Sequence, residues 1–323
     1  MTRTSSLMLL TVAAALLLAA LPLVLPPFYV RVGQLMLYSA GLGVAWAILG
    51  GFAGYASFGH AAFIGVGAFS AGLVETRLGG VPPALLLPIG IVVGGACCGV
   101  LSALIAYPLL RLRGTFFAIA MLGVSNVCAE LTNNVDFFEG SLGLTFPTVV
   151  PASLDPAIFF YELFLVASLA VLLIAWKIRD SRFGAGLLSI REDEDTARML
   201  GVPTERYKRT AFVVSAILTG TLGVIYGHSL GYITTDSVYR NDTNLNLIVY
   251  SLLGGMGTLF GPVIGAFSLV FITQVILGRL LDFHLFATGL LLAFLVLAAP
   301  GGVIGLVRGW LQRRRRSGAA PAE

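Results

Sequence analysis

The sequence predicts an all-α, polytopic integral membrane protein of about 8–10 transmembrane helices, some of them short or broken. Three observations predict it. The 323 residues are 57% hydrophobic and only 11% charged, where a soluble domain carries about 25% charged residues. Apolar runs of roughly 20 residues recur along the whole length, and the mean hydropathy is +0.92. The 39 glycines fit closely packed membrane helices better than a flexible linker.

Taken in order, the apolar segments fall near 7–25, 32–50, 57–75, 84–107, 115–132, 158–177, 210–231, 245–258, 260–278 and 284–299. The first resembles a signal peptide, but it lacks a small-x-small cleavage site before Pro26-Pro27 and is long for such an apolar core, so it reads as a span. Lys and Arg stay on the cytoplasmic side of a membrane. The Arg111/Arg113 turn, the 177–209 loop and the Arg313–Arg316 run are therefore expected inside, and the 133–157 loop, with Asp136, Glu139 and Asp155, outside. Both termini are then cytoplasmic, and 245–278 must be two short spans. This layout leaves only Arg31, Arg77, Arg240 and Arg279 outside. It divides the chain into an N-terminal span and flank (1–31), a body (32–308) with a cytoplasmic loop at 178–209, and a basic, disordered tail (309–323).

The charged loop carries the strongest signal. Ser189-Ile190-Arg191-Glu192 has capping-box spacing, and Glu192, Asp193, Glu194 and Asp195 put negative charge on the positive end of a helix dipole. Glu194 and Arg198 are four apart, in the favourable order for an ion pair. Gly201 stops this helix and Pro203 prevents its resumption, which predicts a single helix over 189–201. A helix this short is marginal in water. The apolar side formed by Ile190, Ala197 and Leu200 predicts a docking surface for a soluble partner.

Three other stretches bear on chemistry. Gly54, Ser57, Gly59 and His60 crowd the start of a span. They read either as close packing with a bonded histidine or as a broken helix beside a translocation route, since unwound backbone at membrane depth needs protein or a wet cavity around it. Ser57, Gly59, His60 and Asn126 are the candidate path-lining residues. The segment from Gly254 through Gly255, Gly257 and Gly261 reads as a hinge between two short helices, Gly54 is a hinge of the same kind, and Gly261/Gly265 is a small-xxx-small packing pair. Glu130 is an intramembrane carboxylate near the end of its span.

Absences narrow the function. The sequence has no phosphate-gripping glycine loop and no metalloprotease or serine-hydrolase motif, so no catalytic residue and no cofactor is expected in this chain. Cys97, Cys98 and Cys128 sit in apolar spans without metal-ligand spacing and read as small buried hydrophobes; no metal is expected. The basic balance sits in loops and at the C-terminus and is no nucleic-acid signature.

These stretches, in this order, resemble the permease subunits of branched-chain amino acid ABC transporters, the LivM type. The early family signature matches Gly54, Ser57, Gly59, His60, Ala61, Ala62, Phe63, Gly65, Gly67 and Ala68, with Tyr55-Ala56 in place of Gln-Leu and Phe69 in place of Tyr. Arg113–Ala118, Gly140–Leu144, the Phe183–Gly201 block and Gly254–Pro262 match its later motifs, over about 33–305. The resemblance implies a transmembrane subunit of a bacterial inner-membrane importer. Its partners would be a second, homologous permease, two cytoplasmic ATPases that bind the ATP, and an extracytoplasmic substrate-binding protein. The helix at 189–201 would be the coupling helix, with Arg191, Glu192, Asp193, Glu194, Asp195, Ala197, Arg198 and Gly201 meeting the ATPase. The implied substrate is a branched-chain or related small amino acid. The departures at Tyr55 and Phe69 bear on which substrate that is. From the residues alone, an ion-coupled secondary transporter or a passive channel for small neutral solutes such as urea remain alternatives.

Overall fold

The computed structural model describes residues 17–78, 80–138, 142–151 and 153–279. The expected segment 284–299, the tail 309–323, the first ten residues of the 7–25 segment, and Gly140 and Ser141 lie outside the described residues.

Eight helices form the bundle: α1 (Pro27–Leu49), α2 (His60–Arg77), α3 (Pro83–Leu109), α4 (Thr115–Asn134), α5 (Pro156–Arg179), α8 (Thr204–Leu230), α10 (Asn241–Gly254) and α11 (Gly261–Phe271). Two shorter helices, α6 (Arg182–Glu192) and α7 (Glu194–Met199), follow α5, and a single turn, α9 (Thr235–Val238), precedes α10. Strands β1 (Leu144–Thr145) and β2 (Tyr232–Ile233) pair antiparallel, with Leu144 opposite Ile233. Among the described residues, five helices (α1, α3, α4, α5 and α8) are long and apolar enough to cross a membrane by length and composition. The chain is an all-α, multi-pass membrane protein.

Helix α1 is apolar all round and lies at the centre, packed against α5, α8, α10 and α11. Its Ala45, Trp46, Ile48 and Leu49 are completely enclosed. Helices α2, α3 and α8 pack mutually on the other side of this core. Helices α3, α4 and α5 are peripheral and present Val92, Leu104, Phe116, Ile119 and Val166 outward, an apolar surface suited to lipid or to another membrane subunit.

The segment 241–276 forms a hairpin of two helices, α10 and α11, as the two short predicted spans require. Its backbones touch: a Cβ on Gly254 would overlap the Gly261 carbonyl, and one on Gly265 would overlap the Tyr250 carbonyl. The glycines there are thus needed for close approach, whatever hinge role they also have. The imidazole Nε2 of His228 on α8 lies 3.0 Å from Oε2 of Glu75 on α2, with both side chains buried. That pair ties α2 to α8 at the end of the bundle that also holds the two strands.

Two sequence expectations change. The cysteines are not uniformly buried: Cys98 is enclosed and donates to the Phe63 carbonyl, but Cys97 lies on the exposed face of α3. Residues 57–59 are not helical either; α1 stops at Leu49 and α2 starts only at His60.

Replacing Gly254 with Ala should lower the stability of the purified chain by about 1–3 kcal/mol, the usual cost of forcing packed elements apart. Gly123→Ala is the control, because a Cβ there meets no described atom, and helix propensity limits its effect to about 1 kcal/mol. Thermal unfolding in detergent checks both, and equal midpoints would refute the close-contact account.

Candidate functional site

The charged loop folds as two helices, which corrects the single helix expected over 189–201. Ser181, not Ser189, caps the first: its Oγ accepts from the Gly184 N–H at 3.2 Å, and α6 runs from Arg182 to Glu192. Ser189 instead donates to the Gly186 carbonyl within α6. Asp193 leaves the helical region with φ −159° and caps α7, accepting from the Thr196 N–H. An aspartate has the short polar side chain an N-cap needs and competes with helix continuation, so it divides the run. Gly201 then adopts φ +85° and turns the chain toward α8, as its identity predicted.

Glu194, at the start of α7, points inward. Its Oε1 lies 2.6 Å from Lys208 Nζ, and its Oε2 accepts from the Tyr55 hydroxyl at 2.5 Å. Lys208 is 1% exposed and the Glu194 side chain 9%. Lys208 also donates to the Leu110 carbonyl and to Tyr55, both at 3.2 Å. One ammonium therefore joins the start of α8, the end of α3, the α1–α2 loop and α7. Around it, Arg113 grips Asp195 through two parallel hydrogen bonds of 2.8 Å, and Arg198 reaches Glu194 at 3.5 Å and Glu205 at 3.3 Å. Arg113 is thus more than an anchor for its turn.

Arg191 works beside this cluster. Its Nη1 donates to the Gly51 carbonyl at 3.0 Å. Its side chain lies over Gly54 (φ +78°) and presses against Gly257 (φ +74°), where any Cβ would collide with it. Gly255 (φ +111°) completes the turn before Gly261. Two of the expected hinge glycines, Gly54 and Gly257, therefore meet at one arginine, which pins the α1–α2 loop to the α10–α11 loop.

Ser57, Gly59 and His60 lie inside the chain instead of on an open route. Ser215 Oγ donates its single hydrogen to the Ala45 carbonyl at 2.7 Å, so it accepts from His60 Nε2 at 2.8 Å. His60 Nδ1 then accepts from Ser57 Oγ at 3.0 Å, and a neutral ring satisfies every partner. A Cβ on Gly59 would overlap the Met121 carbonyl. Asn126 is exposed on α4, 3.4 Å from the Asn241 amide. The three enclosed residues join α1, α2 and α8; Asn126 is not gathered with them.

Tyr55 and Lys208 are the important residues that sequence reasoning underweighted. Tyr55 drew attention as a departure near the substrate route, yet it serves Glu194. Lys208 is one of only two lysines in the chain and sits in an otherwise arginine-rich run, the one available hint that its position differs. Ala197 is buried beneath α7, whereas Glu192, Asp193, Asp195 and Arg198 are exposed. Beyond them Met199 is 80% exposed and Leu200 78%, an apolar tip on a helix held firmly from below.

The electrostatics agree with this division. Burial alone would push the Glu194 carboxyl up, but hydrogen bonds from Lys208 and Tyr55 and the charges of Lys208 and Arg113 outweigh it and hold the group below its usual value. The Arg113 hydrogen bonds depress Asp195, and those from Thr196 depress Asp193.

A family profile described as "Branched-chain amino acid transport system / permease component" matches residues 28–299. The high-affinity branched-chain amino acid transport system permease protein LivM of Escherichia coli is 26% identical over 342 residues, covering 98% of this chain and 78% of that protein. The LivM protein of Salmonella typhimurium is 26% identical over 309 residues, covering 87% and 71%. The autoinducer 2 import system permease protein LsrC of Yersinia pseudotuberculosis is 30% identical over 135 residues, 39% of this chain and 38% of that one. No solved structure matches.

Glu194→Ala removes the nearest ionic partner of a buried ammonium, leaving it only the half-exposed Glu205 at 3.3 Å, and should cost about 3 kcal/mol, while Glu194→Leu with Lys208→Met recovers most of it; thermal unfolding in detergent reads both. The three depressed carboxyls add stability that is complete above their ordinary range of about pH 4 and is lost as pH falls through their folded values. The midpoint of the wild-type chain should therefore drop between about pH 5 and 3, and less steeply for Asp195→Asn. An identical slope in the variant would remove Asp195 from the account.

Proposed function

Because the chain belongs to the branched-chain amino acid transport system permease family, we propose that it is the transmembrane subunit of an ATP-driven importer for branched-chain or related small amino acids. In this reading a second, homologous permease completes the pathway in the lipid bilayer of the bacterial inner membrane. Two cytoplasmic ATPases bind and hydrolyse ATP, and an extracytoplasmic binding protein delivers the substrate. The end carrying α6 and α7 faces the cytoplasm, because Arg111, Arg113, Lys177, Arg179, Arg182, Arg206 and Arg209 gather there.

The observation that carries the proposal is the exposed apolar tip, Met199 and Leu200, on a helix whose other side is bolted to the bundle. An exposed apolar pair is ordinary by itself. Here it stands among charged groups at the basic end, on a segment too short to be stable alone, and it suits a groove on a soluble partner. Coupling requires that the tip bind one nucleotide state of the ATPase better than another; otherwise ATP could not bias the permease. Motion at the tip then reaches α8 through Glu194 and Lys208, and the α1–α2 and α10–α11 loops through Arg191.

Leu200→Asp and Met199→Asp should each reduce ATPase stimulation and uptake by about tenfold or more, since a charge replaces an interface anchor. Co-purification of the two permeases should be unchanged, because neither side chain packs within this chain. Reconstituted vesicles with internal ATP provide the assay. Full uptake by both variants would defeat the docking role, and uptake that survives ATP removal but collapses with an ionophore would favour an ion-coupled carrier instead.

A further inference from the structure

At the end of the bundle opposite the charged cluster, α1, α2, α8, α9, α10 and α11 line an open cavity of about 500 Å³. This lies within the range of ordinary small-molecule sites. Its lining is layered. The deep wall is apolar and comes from Leu42, Ile64 and Leu247. Beside it stand Tyr38, stacked on Tyr226 with ring centroids 4.5 Å apart, and Tyr250, whose hydroxyl lies 3.4 Å from Ser39 Oγ. The rim holds Arg240 and Asp242, with Nη2 and Oδ2 3.2 Å apart and both side chains more than half exposed. From Asp242 to Tyr250 along α10 is about 12 Å at the helical rise per residue, so the site runs well into the bundle.

This layering selects the chemistry of an occupant. No charged side chain lines the cavity away from the rim, so a ligand must keep its charges at the rim and lower an uncharged body among the apolar and tyrosine side chains. The rim offers one cation and one anion side by side. A zwitterion whose carboxylate and ammonium share one carbon can exchange partners with that pair: its carboxylate takes the Arg240 guanidinium and its ammonium takes the Asp242 carboxylate. Each charge then trades one ionic partner for another, which offsets its desolvation. A fatty or sterol-like molecule would bring no charges to exchange with the rim pair.

We infer that this cavity is a binding site within this subunit for an α-amino acid with an aliphatic side chain, its carboxylate on Arg240 and its ammonium on Asp242. The inference rests on the permease reading above and locates the substrate within it. None of Ser57, Gly59, His60 or Asn126 lines the cavity.

The test uses the complex purified through this chain, in lipid nanodiscs, with radiolabelled L-leucine as the probe and no ATP. Leucine should bind saturably. Isocaproic acid and isoamylamine, each lacking one of the two charges, should compete about tenfold less well or worse. Arg240→Gln and Asp242→Asn should each weaken leucine binding by about tenfold. Their exposure at the rim predicts unchanged folding, checked by thermal midpoint. Equal leucine binding in wild type and both variants, equal competition by the one-charge analogues, or no saturable binding at all overturns the site. ATP-driven uptake by the same complex is scored separately. Uptake without binding to this chain sinks the site alone, and binding without ATP-driven uptake sinks the importer reading alone.

Discussion

The arrangement of the charged end depends on one buried ion pair, Lys208 with Glu194. An ammonium that is 1% exposed is costly unless its hydrogens are all used, and here Glu194, Tyr55 and the Leu110 carbonyl use them. Each partner belongs to a different part of the chain, so satisfying the lysine fixes where those parts sit. A hydrophobic residue of similar size at position 208 could fill the space, but it would not specify which turn of α7 faces inward. The pair is thus better understood as a register device than as a source of net stability.

That register is carried by one helix face. Ile190 and Ala197, four before Glu194 and three after it, are both buried, so Glu194 shares their inward direction. Across the break at Asp193 that face is kept, with Met199 and Leu200 left outward. The segment thereby has a fixed base and a free tip. The two loops it touches through Arg191 are built from glycines at positive φ, conformations that other residues adopt only with strain. The backbone can change course there at small cost, whereas the Lys208 junction cannot stretch without exposing a charge. Rigid attachment and compliant turns therefore meet within one cluster.

Much of this was legible in the chain. Apolar periodicity and length set the helices of the bundle; the basic loops gave one end its identity; Gly201 and Pro203 marked the turn before α8. What the sequence concealed has a common cause. Capping depends on which oxygen reaches which N–H, and both Ser189 and Asp193 offered one, so local spacing could not decide between them. His60 looked functional because a histidine in a span is unusual, yet two serines far apart in sequence complete its hydrogen bonds. The partnership of Lys208 with Tyr55 spans more than 150 positions and leaves no local pattern. The Arg240–Asp242 rim was equally invisible, since the layout made Arg240 merely an exception to the charge rule.

Helix α8 connects the two ends of the molecule. It carries Lys208 near its start and Tyr226, a wall of the cavity, near its finish. Eighteen residues separate them, about 27 Å at the α-helical rise. Between these points the helix is packed on α1, α2 and α3, and beyond Tyr226 the buried contact of His228 with Glu75 holds it to α2. A helix held at both ends transmits a push as a tilt or a rotation, not as a local bend. Because Tyr226 stacks face to face on Tyr38 of the central helix, with ring planes 6° apart, even a small rotation of α8 must slide or open that stack. The stack forms part of one side of the cavity. A displacement applied at Lys208 thus has a mechanical route to the cavity through a single continuous helix, without any chain of side-chain rearrangements in between.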